Sequence, residues 1–200
     1  MSVAASSLIT AAQFKTYLGP EYSGTLNDSL FELLIDSVSE VFNSRTGRML
    51  AKTTHTDQYF DGNGKQDLFL PNYPVISITS IYEDGVLLTE GEDGDYVVDY
   101  AGGVVSRVRG TWLRGRKTIK ITYAAGYVVQ GASPVAGETA LPADLKLGCM
   151  MQVAREWKKT QGSEWGETSR SFPDGSTSHV ERGLLKEVEE ILQKYRRYRV

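Results

Sequence analysis

The chain has 200 residues, 40% hydrophobic and 10% aromatic, enough to bury a core in one large domain or a small domain with an insertion. That composition excludes global disorder, and no stretch approaches the ~20 apolar residues that a membrane span requires. One cysteine, Cys149, excludes an internal disulfide, and a net charge of -3 by itself selects no partner.

Residues 1–10 hold no basic segment followed by a long apolar run, so no secretory signal is expected, and the cysteine usage fits a reducing compartment. Thr10 is placed to cap a short helix to Leu18, with Phe14, Tyr17 and Leu18 at helical spacing and Gly19-Pro20 as the stop. A longer helix starts at Asn27 or Asp28. Its expected apolar stripe is Leu30, Leu33, Leu34, Val38, Val41 and Phe42, and it is about 30 Å long. Gly47 suits its C-terminal cap, with Arg45 and Arg48 near the negative end of the dipole.

From 52 to 129 the pattern changes to short β-rich runs. Runs 53–60 and 67–70 flank Asp61-Gly62-Asn63-Gly64-Lys65, which predicts a hairpin. Run 75–82 alternates as a half-buried strand, and Asp84-Gly85 turns it into 86–88. Runs 96–99 and 104–108 flank Ala101-Gly102-Gly103, a second hairpin signal, and Ile119, Ile121 and Tyr123 mark a last strand. About six strands at this spacing read as a small sheet or barrel-like unit. A Gly/Ala/Pro/Val-rich connector, 130–141, leads to Pro142 in the first turn of a helix bearing Leu145, Leu147, Met150, Met151, Ala154 and Trp157. Segment 160–183 is polar and aperiodic and reads as a mobile loop. A final helix is expected over 184–198, with Leu184, Leu185, Val188, Ile191, Leu192 and Tyr195 on one side.

The expected fold is therefore α+β: a small helical bundle built from both chain ends, 1–50 and 140–200, with an antiparallel β domain inserted at 51–130. The 160–183 loop falls within the helical part.

Chemistry is hard to find in this sequence. His55 and His179 are far apart and no His, Cys, Asp or Glu cluster has metal-ligand spacing. Glu90-Gly91-Glu92-Asp93-Gly94-Asp95 lacks the spaced carboxylates of an EF-hand and reads as a solvated turn. The 61–65 glycines lack the lysine spacing and following helix of a phosphate loop. Ser176, Ser178, His179 and Asp174 are close in sequence, but triads are recognised by geometry. Cys149, in an apolar helical setting, reads as a buried structural thiol. No catalytic residue, metal or cofactor is expected. The chain reads as a non-enzymatic assembly subunit that binds copies of itself and neighbouring proteins.

Its charges are segregated. Residues 83–99 carry seven acids and no base, residues 107–120 carry six bases and no acid, and 194–199 add four more positive charges. Glu90, Glu92, Asp93 and Asp95 of one subunit are candidates to meet Arg107, Arg109, Arg114, Arg116 and Lys117 of the next, since opposed charges on two faces suit head-to-tail contacts. Trp165 and Phe172 lie in the polar loop. They either pack back on their own domain or anchor on a neighbouring subunit. The basic segments also permit an alternative, a nucleic-acid-binding protein using 107–120 and the C-terminal tail. Against it, the chain without the tail is acidic and no base-reading motif is present.

Read together, several motifs resemble the head–tail connector (adaptor) proteins of tailed bacteriophages, in their β-containing form. They are Leu8-Ile9-Thr10 with Phe14-Lys15-Thr16-Tyr17-Leu18-Gly19, then Ser44-Arg45-Thr46-Gly47-Arg48, and Tyr59-Phe60-Asp61-Gly62-Asn63-Gly64. Leu68-Phe69-Leu70-Pro71-Asn72-Tyr73-Pro74-Val75, the run from Ile119 through Tyr127, Leu141-Pro142-Ala143-Asp144-Leu145-Lys146 and the arginine-rich end follow in order. The resemblance implies a homo-oligomer, a twelve-fold ring docked between the portal protein and a stopper or tail-completion protein. DNA would pass through its channel without sequence-specific binding. It implies a place in the virion neck, with assembly in the host cytoplasm and no membrane. It also makes Tyr195, Arg196, Arg197, Tyr198 and Arg199 candidate portal contacts.

Overall fold

The computed structural model describes residues 3–161, 169–171, 177–179 and 183–197. It is α+β, with two compact units: residues 1–46 with 142–196, and residues 47–141 with 197–200.

The first unit is helical. α1 (Ala11–Leu18) begins with a reciprocal cap: Thr10 Oγ1 accepts from the Gln13 backbone and Gln13 Oε1 accepts from the Thr10 backbone, each at 3.1 Å. A single 3-10 turn (Pro20–Tyr22) leads to α2 (Asp28–Thr46). α3 (Ala143–Gln161) and α4 (Lys186–Lys194) complete the bundle. Phe31 is its centre, edge-on to Phe14 at 5.2 Å and to Trp157 at 4.8 Å, geometry worth about 1 kcal/mol per pair beyond area burial. The preceding segment is tied to α2 by Asp36, which accepts from the Ser7 hydroxyl and the Ala4 backbone, and by Ser39, which accepts from Leu8 N at 3.1 Å.

Two helical expectations need correction. The buried face of α2 is Phe31, Ile35, Val38 and Phe42; Leu33 and Val41, expected in the stripe, are exposed. The helix is apolar on two sides, and periodicity alone does not say which side the chain covers. The last helix is shorter than 184–198. Leu185 is extended because its N–H is taken by Oε1 of buried Gln152 at 3.1 Å, so α4 starts at Lys186. It ends at Lys194, and the Tyr195 hydroxyl is held by Asp144 Oδ1 at 2.7 Å. Within the expected mobile loop, Ser169–Ser171 and Thr177–His179 pair as an antiparallel two-stranded ladder.

Among the described residues, the second unit holds seven strands: β1 (Thr53–Gly62), β2 (Asp67–Phe69), β3 (Val75–Glu83), β4 (Val86–Leu88), β5 (Tyr96–Asp99), β6 (Val104–Arg107) and β7 (Gly115–Ala125). They form a four-stranded sheet in the order β1-β7-β3-β4 and a three-stranded sheet in the order β2-β6-β5, all antiparallel. One core contains Leu68, Val75, Ile81, Trp112, Ile119, Ile121 and Tyr123. The Asp84-Gly85 turn joins β3 to β4 as expected, with φ of 47° and 82° that suit a two-residue hairpin. The β5–β6 hairpin also forms.

The first predicted hairpin does not. β1 pairs with β7 and β2 with β6, so the two runs lie in different sheets. Their connection is a side-chain-closed turn: Asn63 Oδ1 accepts from Lys65 N at 2.8 Å and Asn63 Nδ2 donates to Asp67 O at 3.0 Å. Arg48, two residues beyond α2, is a buried member of the β unit, donating to Tyr73 O at 2.6 Å with its guanidinium 3.8 Å from the Tyr73 ring centre.

Candidate functional site

The charged segments are built by β5, β6 and the loop that follows them. Register puts Tyr96 opposite Arg107, and Val108 N donates to Asp95 O at 3.0 Å, so the acidic turn and the basic segment begin side by side in one chain. Asp95 is occupied locally: its Oδ2 accepts from the Thr89 backbone and hydroxyl, each at 2.9 Å. Those hydrogen bonds, the backbone one first, hold its carboxyl below the usual carboxylate range. Glu90 accepts from the Tyr100 hydroxyl at 2.6 Å, pushing that phenol up to about 12. Glu92 and Asp93 are exposed at the tip of the turn. The turn is thus closed by its own hydrogen bonds, and no group of three or more potential metal ligands exists among the described residues.

Arg107 serves the interior. Its guanidinium lies 3.3 Å from the Glu83 carboxylate and 5.4 Å from the centre of the Trp112 ring. Arg109, Arg114, Arg116 and Lys117 are exposed. The last three stand at the start of β7, where Lys117 N donates to Asp61 Oδ1 of β1 at 2.7 Å.

Beside them is a row that sequence reading missed. Register places Lys120 of β7 opposite Tyr59 of β1 and opposite Tyr82 of β3. Lys120 Nζ lies 4.7 Å from the Tyr82 ring centre and 3.5 Å from Asp57 Oδ1. Tyr59, Tyr82, Arg116, Lys117 and Lys120 line an open depression of about 450 Å3. The alternation of β7 told that Lys120 faces out, but only the cross-strand register brings two tyrosines to it.

Of the tail candidates, Tyr195 is engaged by Asp144, and Arg196 and Arg197 are exposed. Tyr198 and Arg199 lie outside the described residues, as do Trp165 and Phe172. Among possible reactive groups, Cys149 is fully buried in α3 and burial pushes its thiol up to about 12, a structural thiol. The His55 ring lies 4.9 Å from the Tyr123 ring, and burial lowers its pKa. The described residues thus present surfaces for contact. Among them, no helix is long and apolar enough to cross a membrane.

The comparisons with known proteins agree with that character. The head completion protein family matches residues 7–198. No curated protein matches the chain. Among solved structures, a chain in the neck of an empty gene transfer agent (GTA) particle computed with C6 symmetry is similar at 17% identity and a TM-score of 0.56, covering 100% of this chain and 96% of that one. A chain of the native GTA virion gives 16% identity and a TM-score of 0.58, covering 100% and 94%. One from the native GTA neck computed with C12 symmetry gives 16% and 0.56, covering 100% and 97%. These likenesses concern the fold. The family is a structural one, and its match leaves the nucleic-acid-binding alternative without support. The chain belongs to the head completion protein family and is a structural head–tail connector subunit.

Proposed function

We propose that the subunit assembles head to tail into a ring in the virion neck, between the portal protein and a stopper or tail-completion protein, around the DNA channel. The observation that carries this reading is the family match over residues 7–198. Similar folds occur in necks computed with C6 and with C12 symmetry, which supports a ring; the C12 neck is the precedent for twelve copies. The subunit does no covalent chemistry, assembles in the host cytoplasm, and lets DNA pass without reading its sequence.

Exposed Glu90, Glu92 and Asp93, with Asp95 behind them, meet exposed Arg109, Arg114, Arg116 and Lys117 of the next copy. Arg107, held by Glu83, steadies that surface from within. Trp165 and Phe172 join the subunit contact. At the tail, Tyr195, Arg196, Arg197, Tyr198 and Arg199 meet the portal, the Tyr195 hydroxyl being held by Asp144. The test is to reverse Arg114, Arg116 and Lys117 to Glu and follow assembly by mass measurement, alone and with portal. Weaker association, restored by reversing Glu90, Glu92 and Asp93 to Lys, is expected; undiminished assembly of the triple variant rejects the charge contact. A chain ending at Lys194 should lose portal binding while remaining folded.

A further inference from the structure

We propose a second contact between copies, in the helical unit: the outer face of α2 in one subunit seats on the outer face of α3 in the next. It rests on the ring reading above and identifies the apolar part of the interface.

α2 is apolar on two sides. Phe31, Ile35, Val38 and Phe42 face the bundle core. At 100° per residue, Leu30, Leu33, Ser37 and Val41 fall on the opposite side. Leu33 is 64% exposed and Val41 38%. α3 has the same construction. Leu145, Cys149, Val153 and Trp157 are buried, and Leu147, Met151, Ala154 and Lys158 make the opposite row, with Leu147 48% exposed. Tyr17 of α1 stands beside that row. Two depressions of about 390 and 720 Å3 share Tyr17, Ala154 and Lys158 as walls, and Met151 lines the first, so the row from Met151 onward is one side of a groove, with exposed Leu147 one turn before it on the same face.

The occupant is a second copy of this chain. α2 and α3 both spend their inner faces on the same core, so their outer faces point away from each other. Ridge and groove therefore meet only between subunits, and each subunit carries one of each. Charge selects the same pairing. The α2 ridge is flanked along one side by Glu32, Asp36 and Glu40, one turn apart, with Asp36 also holding Ser7 and Ala4. The groove is rimmed by Arg155, Lys158 and Lys159, the last also paired with Glu156, against a single acid, Glu21, on the wall of the second depression. Ridge on groove brings acid to base. Ridge on ridge or groove on groove, the two-fold alternatives, brings like charges together. A contact between two different faces repeats head to tail and closes into a ring when the rotation permits.

The experiment uses full-length chains with Leu33→Asp on the ridge and Leu147→Asp on the outer α3 row that runs into the groove. Both sites are exposed, and circular dichroism confirms that each variant is folded. Wild-type self-association is measured first, by solution mass over a range of concentrations and by oxidative trapping of a chain carrying both Leu33→Cys and Leu147→Cys. Each Asp variant alone should associate about tenfold more weakly or worse, as expected for a buried apolar anchor. An equimolar mixture should stop at a heterodimer, because one intact ridge and one intact groove remain per pair. The doubly substituted cysteine chain should give a ladder of trapped multimers. If wild type assembles and the Asp variants assemble equally well, or lose only the binding of another neck protein, this contact is wrong and the ring reading stands. If wild type neither self-associates nor traps, alone or with portal, the ring reading falls and takes this contact with it.

Discussion

Glu83 holds Arg107 across the β unit, carboxylate to guanidinium at 3.3 Å, while its other oxygen accepts the Leu113 N–H at 2.7 Å. Both side chains are largely shielded, at 6% and 17% exposure. One carboxylate therefore ties the end of β3 to the end of β6 and to the loop that presents Arg114.

Replacing Glu83 by Ala leaves a shielded guanidinium and a backbone donor without their acceptor. The expected cost is about 3 kcal/mol in the stability of the β unit, the range for breaking one side of a buried pair. Glu83→Gln keeps an acceptor for Leu113 and should cost less. Urea denaturation of the two variants checks the order. Charge reversal at Arg107 should unfold the unit at lower urea, whereas reversal at exposed Arg114 should leave the midpoint unchanged.

His55 sets an acid limit. Burial lowers its pKa from the ordinary 6.5, and its Nε2 is shielded without a hydrogen-bond partner. The unfolded chain therefore binds the proton more readily than the folded one. Stability from this group is complete above pH 6.5 and is lost as pH falls below it. His55→Phe keeps a ring against Tyr123 and removes the proton. Its stability should fall less than wild type between about pH 7 and pH 5, the difference bounded by about 1.4 kcal/mol per pH unit. Thermal unfolding across that range, wild type against variant, measures it.

What the sequence discloses depends on how local the cause is. The Thr10 cap, the Asp84-Gly85 turn and the burial of Cys149 follow from residues within a few positions of each other, and all are present. Non-local choices are not legible. Nothing between Asp61 and Lys65 tells that β1 will prefer β7 to β2, since that pairing is decided by a partner more than fifty residues away. The two apolar faces of α2 are equally regular, and only the packing of Phe14 and Trp157 on Phe31 selects the inner one. The charge segregation was plain, but Arg107 belongs with Glu83 because β3 and β6 converge, not because of any spacing. The Tyr59–Lys120–Tyr82 row depends on the register of three strands at once.

Tyr100 should be the alkaline counterpart of His55. Its hydroxyl donates to Glu90, and that bond, with burial and the carboxylate charge, pushes the phenol up to about 12 from 10.0. A raised folded value means that the bond's contribution is complete below pH 10.0 and is lost as pH climbs toward about 12. In a near-ultraviolet titration, Tyr100→Phe should remove a late-ionising component and leave the earlier tyrosines in place. Loss of an early component instead would show that Glu90 does not hold the hydroxyl, and that the acidic turn is more open than its hydrogen bonds indicate.

Gly62 tests the join between β1 and β7. It sits at a shift in their register, opposite Gly115, and a Cβ there would lie 1.6 Å from Leu113 O and 2.7 Å from Thr118 Oγ1. Neither obstacle yields easily. Leu113 is fixed by Glu83, and Thr118 Oγ1 already donates to Leu113 O at 3.3 Å. Gly62→Ala must therefore push β1 away from β7 at the end where Arg114, Arg116 and Lys117 are displayed. A loss of about 2–4 kcal/mol is expected, in the range of overpacking a site that cannot relax. Gly24→Ala is the control, since nothing lies within 4 Å of its Cβ position, and it should change stability by less than about 0.5 kcal/mol. If Gly62→Ala unfolds at the wild-type urea concentration, the close approach of Leu113 to β1 is not a constraint, and the basic loop is positioned by Glu83 alone.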